Sequence, residues 1–196
     1  HYYKGESKNL KNGRIIGHDG CGQTVDTDEK VVVFPNTSCS HCRYCQQGRP
    51  NLCEHSKFMG SDRDGLFSEL IAAPKRNLLP IPDDVSFEEA GVLEPVALAL
   101  HTFDLLQPKV GEWVTILGQG PIGLLMTQVA KTSGCRVIAV DIEDYRLKFS
   151  EKYGSDIRIN PKNEKVVQKV KSLTRSRSDI VVEAAGRKET VEQTSK

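Results

Sequence analysis

Four cysteines crowd into fifteen residues: Cys39, Cys42, Cys45 and Cys53, spaced C-x2-C-x2-C-x7-C. Thiolates at these intervals can wrap one tetrahedral Zn²⁺, with Zn–S distances near about 2.3 Å. Three close ligands need a loop that turns around the ion, and Cys53 closes the shell from the far side. Four sulfurs leave no position for water or substrate, so the expected role is structural. Rival readings are an iron–sulfur cluster, whose common spacings differ in the last interval, and ordinary buried thiols. His41, between two ligands, reads as a loop residue. Cys21 and Cys135 read as small buried hydrophobes.

A second chemistry is written at Gly118-Gln119-Gly120-Pro121-Ile122-Gly123, a G-x-G-x-x-G string. The string alone is weak, but a strand-like run precedes it and a helix-like run follows. Gly118 permits the tight turn, Gly120 lets a pyrophosphate approach bare backbone, and Gly123 lets helix and strand pack closely. Pro121 and Ile122 open the helix, whose N-terminus offers unpaired N–H groups and a positive dipole end. Asp141 follows Gly120 by 21 residues at the end of the next strand. A carboxylate there accepts hydrogen bonds from the adenosine ribose and repels a 2′-phosphate, so NAD is expected over NADP. Arg146, five residues further on, is a candidate cofactor contact; a solvated arginine is its blander reading.

Two textures surround these motifs. Residues 1–95 are rich in Gly, Pro, Asp and short β-branched runs such as Val31-Val32-Val33-Phe34, which predict irregular β structure with long loops. From residue 110 onward strands alternate with helices. Trp113–Leu117, Val137–Val140, Ile157–Ile159 and Ile180–Val182 read as strands, with helices over Ile122–Ser133, Ile142–Tyr153 and a basic stretch through Val166, Val167 and Val170. That alternation predicts a parallel, doubly wound sheet with helices on both faces. A helix over Ser86–Leu106 joins the halves, with His101 expected to pack within it.

Composition bounds the remainder. The 196 residues carry 27 Lys and Arg against 26 Asp and Glu, a net charge of +1 that supplies no field for nucleic acid or an anionic membrane. A zinc-ribbon nucleic-acid module therefore suits the cysteines but not the charge or the glycine string. No apolar run approaches the roughly 20 residues that span a bilayer. One dense cysteine cluster beside a cysteine-poor stretch favours a reducing compartment, and the cytoplasm is expected.

Gly17-His18-Asp19 and Glu94-Pro95 are less specific. Together with the cysteine lobe and the glycine string, in this order along nearly the whole chain, they resemble the zinc-dependent medium-chain dehydrogenases. The resemblance implies a GroES-like β-barrel catalytic domain over 1–95, carrying the structural-zinc lobe at 39–53, then a Rossmann domain over 96–196. It also implies a second, catalytic zinc with His18, Asp19 and Glu94 as its ligands; Asp19, with a shorter side chain, stands where the family usually has Glu. The run Glu94-Pro95-Val96-Ala97-Leu98-Ala99-Leu100-His101 and the loop Gly60-Ser61-Asp62-Arg63-Asp64-Gly65 are similar to the polyol branch, the sorbitol and galactitol-phosphate enzymes.

On that resemblance the chemistry is hydride transfer from a polyol, sugar alcohol or its phosphate, or another secondary alcohol, to NAD, with zinc as Lewis acid and His1 as proton relay. A homo-oligomer, dimer or tetramer, is expected. The competing function is a non-catalytic, zinc-stabilised NAD-binding protein that has lost the catalytic metal. The resemblance puts the family's catalytic Cys before His1, and only four Rossmann strands precede Lys196, so the sequence is expected to be part of a longer chain. The stretch from Cys21 to Lys30 is shorter than the family's, and a hidden chain gap is expected between Gly22 and Lys30.

Overall fold

A computed structural model describes residues 13–195, so the relay expected at His1 lies outside the described residues. The chain divides into two compact units, His1–Glu94 and Pro95–Lys196.

The first unit carries two small sheets. Strands β1 (Cys21–Gln23), β2 (Lys30–Val33) and β5 (Leu78–Pro80) form an antiparallel sheet in the order β1-β2-β5. The alternation of Val31 and Val33, both buried, with half-buried Val32 gives β2 its inner face. Strands β3 (Asn36–Thr37) and β4 (Lys57–Phe58) make a two-stranded sheet, and the cysteine lobe is the excursion between them. Asn77, buried, ties the two sheets by donating from Nδ2 to the carbonyls of Phe34 at 2.7 Å and Asn36 at 2.8 Å.

The gap expected between Gly22 and Lys30 is absent. Gln23 pairs with Lys30, and the loop between closes on itself through Thr24 N–H to Glu29 O at 3.1 Å and Asp28 N–H to Thr24 O at 3.0 Å. The short stretch needs no further residues, because a hairpin satisfies its backbone groups locally.

Ser86–Leu106 is two helices, not one. Ser86 and Glu89 form a reciprocal capping box that starts α2 (Phe87–Ala90), and Gly91-Val92 interrupts before α3 (Leu93–Leu106). A four-residue helix, α1 (Arg43–Gln46), lies in the cysteine lobe.

The second unit is the parallel sheet. Strands β6 (Trp113–Leu117), β7 (Arg136–Val140), β8 (Ile157–Ile159) and β9 (Ile180–Glu183) lie in the order β8-β7-β6-β9, all pairs parallel. Numbered within this sheet the order is 3-2-1-4, which places a topological switch point between the first and fourth strands. Side-chain alternation divides the core. Val114, Ile116 and Val137 pack with Met126 and Ala130 of α4 (Pro121–Thr132) and with Ala99 and Phe103 of α3. Leu117, Ile138, Val140 and Ile159 pack on the other face with Val166 and Val170 of α6 (Val166–Thr174). Helix α5 runs over Asp144–Lys152, shorter at both ends than the expected Ile142–Tyr153, and α7 (Lys188–Gln193) is an element the patterning did not predict. His101 is exposed rather than packed, because the buried stripe of α3 runs through Ala99 and Phe103. Among the described residues no helix is long and apolar enough to cross a membrane.

Candidate functional site

The four cysteines of the lobe are free of disulfides, and their sulfurs lie within 4.8 Å of one another. Cys39 and Cys45 sulfurs are 4.0 Å apart, Cys42 and Cys45 sulfurs 3.5 Å. A tetrahedral Zn–S shell needs edges of about 3.8 Å, so the spacing fits zinc with small adjustments. Backbone amides already point at the sulfurs: Cys39 N–H and His55 N–H donate to the Cys53 sulfur at 3.3 and 3.4 Å, and Cys42 N–H donates to the Cys39 sulfur at 3.3 Å. Backbone amides of Cys45 and Glu54 draw the Cys42 thiol down to about 6. Burial and the neighbouring sulfurs push the Cys45 thiol up to about 11. Four crowded thiols cannot all ionise unaided; a divalent cation resolves that conflict, and the donor set fits it. His41 is a loop residue whose Nδ1 lies 2.8 Å from the Cys39 carbonyl oxygen. Cys135 is buried as expected, whereas Cys21 is half-buried and donates its S–H to the Phe87 carbonyl at 3.2 Å.

His18, Asp19 and Glu94 form a second cluster, each offering a ligand atom within 4.8 Å of the others. His18 Nε2 is 3.5 Å from Asp19 Oδ1, and the shorter Asp side chain reaches the cluster. Burial, and next the Asp19 carboxylate, push the Glu94 carboxyl above its ordinary value against the pull of His18. One imidazole and two carboxylates are a donor set that fits zinc.

Local chain geometry holds this cluster. Gly17 has φ +93°, and a Cβ there would meet the Phe67 ring at 2.5 Å. The Ile15–Gly17 stretch is strapped by Gly65 N–H to Ile15 O at 2.8 Å, Leu66 N–H to Gly17 O at 3.0 Å and Phe67 N–H to Ile16 O at 3.0 Å. Any side chain at Gly65 would collide with the Gly17 carbonyl, which is why the Gly60–Gly65 loop needs a glycine at its end. Phe58 then sets its ring edge-on to His18 at 5.1 Å between centroids. Glu94 enters from the first turn of α3, where the helix dipole favours a carboxylate.

The glycine loop joins β6 to α4. Gly118 sits at φ +98°, and a Cβ there would press on Ala184 and Ala185 just beyond β9. A Cβ at Gly123 would collide with the Gly118 carbonyl, so helix and turn are in direct contact. Nothing lies within 4 Å of the Cβ position at Gly120, leaving bare backbone open at the helix N-terminus, where Pro121 takes the first helical position. Asp141 follows the last residue of β7 beside the loop, 6% exposed, accepting from Gln119 N–H at 2.7 Å and Glu143 N–H at 2.9 Å. Arg146 is not simply solvated. Its guanidinium comes within 3.7 Å of the Asp141 carboxylate and lies over the Tyr145 ring at 5.6 Å.

Three further residues, Glu183, Gln119 and Thr127, support the glycine loop and the strand ends without belonging to a motif role. Glu183, at the end of β9 beside the switch point, accepts from Ala185 N–H at 2.9 Å, Gly186 N–H at 3.0 Å and Thr190 Oγ1–H at 2.7 Å. An acidic residue ending a parallel strand ahead of a glycine was the available signal. Gln119 and Thr127, both buried, carried no signal at all.

Two zinc-type clusters and a dinucleotide-type glycine loop thus stand in one chain, and the comparisons give that combination a family. The alcohol dehydrogenase GroES-like domain matches residues 1–83, and the zinc-binding dehydrogenase domain matches residues 121–196. The chain belongs to the zinc-dependent medium-chain dehydrogenase family, with the GroES-like and Rossmann domains expected from its motifs.

Among similar proteins, L-threonine 3-dehydrogenase of Pseudoalteromonas translucida is 36% identical over 203 residues, covering 95% of this chain and 58% of its own length. Galactitol-1-phosphate dehydrogenase of Escherichia coli is 30% identical with a TM-score of 0.86, over 97% of this chain and 57% of its own. A zinc-binding dehydrogenase of Sinorhizobium meliloti bound to NADP is 32% identical with a TM-score of 0.88, over 94% and 58%. The chain thus spans little more than half the length of these relatives.

Proposed function

We propose that the protein oxidises a secondary alcohol with NAD, using one structural zinc at Cys39, Cys42, Cys45 and Cys53 and one catalytic zinc at His18, Glu94 and Asp19. Residues 1–95 act as the catalytic domain and 96–196 as the cofactor domain. The observation that carries this reading is the convergence of one imidazole and two carboxylates, from chain positions 18, 19 and 94, within 4.8 Å. Zinc bound there would act as a Lewis acid on a substrate hydroxyl. His18, braced by Phe58, supplies the nitrogen ligand, and Glu94, whose proton is held more tightly than usual, supplies oxygen once a cation displaces that proton. Oxygen donors in place of sulfur make the site more polar, which suits a polyhydroxylated substrate: a polyol, a sugar alcohol or its phosphate, or a hydroxylated amino acid such as threonine. At the cofactor end, the open backbone around Gly120 receives the pyrophosphate, and Asp141 receives the adenosine ribose and repels a 2′-phosphate. The protein works as a cytoplasmic homo-oligomer, a dimer or tetramer.

The test is NAD reduction by the zinc-loaded chain with a hexitol, its phosphate, L-threonine and ethanol. One of the first three should be preferred; preference for ethanol overturns the substrate class. Metal analysis should give two zinc ions per chain, whereas one, with NADH still bound, would leave a non-catalytic NAD-binding protein.

A further inference from the structure

The glycine loop has a polar support beneath it. Gln119 is 0% exposed, an unusual place for an amide side chain, which must find partners there. Its Oε1 accepts from the hydroxyl of Thr127, also 0% exposed, at 3.0 Å, and its Nε2 donates to the Ile116 carbonyl at 3.4 Å. Thr127 lies eight residues further on, in rigid α4, and Ile116 lies in the central strand β6. The side chain of Gln119 is therefore held between the two elements that the loop connects. Its backbone N–H, on the same residue, donates to Asp141 Oδ2 at 2.7 Å.

We propose that Thr127 and Gln119 form a buried clamp that orients the Asp141 carboxylate, which makes Thr127 a positioning residue for the choice between NAD and NADP; this rests on the dinucleotide-binding reading above. A carboxylate has about four acceptor sites. Gln119 N–H and Glu143 N–H take two, one on each oxygen, which leaves two for the ribose hydroxyls and the neighbouring Arg146 guanidinium to share. With both oxygens anchored, the charge cannot rotate away from an incoming 2′-phosphate. Arg146, 3.7 Å from Oδ2 and half-exposed, is kept in partnership with Asp141. Once the clamp slackens, Asp141 gains freedom and Arg146 becomes available to the 2′-phosphate. Loss of the clamp thus weakens NADH and spares or strengthens NADPH.

The experiment is calorimetric titration of the full chain with NADH, NADPH and ADP-ribose, in the wild type, Thr127→Val and Thr127→Ser. Valine keeps the shape and deletes the hydroxyl; serine keeps the hydroxyl and deletes the methyl. Thr127→Val should lower the NADH-to-NADPH affinity ratio by about five- to tenfold, the scale of one buried hydrogen bond, with ADP-ribose affinity falling alongside NADH. Thr127→Ser should keep the wild-type ratio even where its melting temperature drops. Hydrogen exchange without cofactor supplies a second readout: the Gln119 amide should exchange faster in the valine variant and not in the serine variant. Should valine fail to fold, Gln119→Met removes the bond from its other end and should lower the ratio likewise. A ratio within twofold of wild type in the valine or methionine variant, or an equal loss in serine, overturns the clamp. Failure of the wild type to bind NADH would instead overturn the dinucleotide reading.

Discussion

At the residue scale, Asp141 is the group proposed to govern cofactor choice, and Asp156 is one that responds to pH. Asp141→Ser removes both the ribose acceptor and the charge that repels a 2′-phosphate, so the preference for NAD over NADP should shrink about tenfold or more, read as the ratio of kcat/KM values. Equal use of both cofactors by the wild type would contradict the role assigned to Asp141. Asp156 makes a different kind of prediction. Burial pushes its carboxyl up, but the Lys131 ammonium at 2.6 Å and the Val137 amide at 2.7 Å outweigh that and leave it below its ordinary value. A depressed carboxyl contributes stability that is fully present above its unfolded pKa and is lost as the pH falls through the folded one. Asp156→Asn should therefore destabilise the second unit by about 1–2 kcal/mol at pH 7, chiefly by weakening the bond to the Val137 amide, since the half-exposed ion pair is worth little. The difference from wild type should vanish in strongly acidic solution, checked by denaturant melts across pH.

At the element scale, the loop that holds the His18 cluster depends on close backbone approach. Gly65→Ala would drive a methyl into the Gly17 carbonyl and the Gly60 backbone, so the Ile15–Gly17 strap must shift. The expected cost is about 1–3 kcal/mol of stability, with zinc lost preferentially from the His18 cluster, which metal analysis would show as a fall from two ions toward one. Cys42→Ser should empty the lobe instead, exposing 39–53 to proteolysis while NADH binding persists. Both outcomes separate the clusters by element. The glycine loop and the Trp113–Leu117 and Ile157–Ile159 strands were legible in the sequence, and β7 all but its first residue, Arg136, because each is a short apolar run bounded by turn residues. The break at Gly91-Val92 was not, since apolar residues continue through it and only the capping box at Ser86 and Glu89 marks where α2 begins.

At the scale of the whole molecule, the two units rest on different forces. The second buries a two-sided apolar core around a parallel sheet. The first has short strands and a cysteine lobe with no buried helix, so metal should supply a large share of its stability. Chelation should therefore open residues 13–94 to hydrogen exchange while leaving the β6–β9 amides protected. Uniform loss of protection across both units would show that zinc is not confined to stabilising the first. What the amino-acid sequence determined by itself were the features encoded by local spacing: four cysteines at ligand intervals, three glycines between a strand and a helix, and an acidic residue one strand later. Those signals are short-range, because each motif lies on one or two adjacent elements. Tertiary structure alone decided the rest. It brought Glu94 to His18 and Asp19 across some seventy-five residues, and turned Arg146 back onto Asp141. It also replaced the expected gap with a hairpin and set Gln119 over Thr127 in the core. These depend on which backbone and side-chain groups must find partners once buried, and no local spacing carries that information.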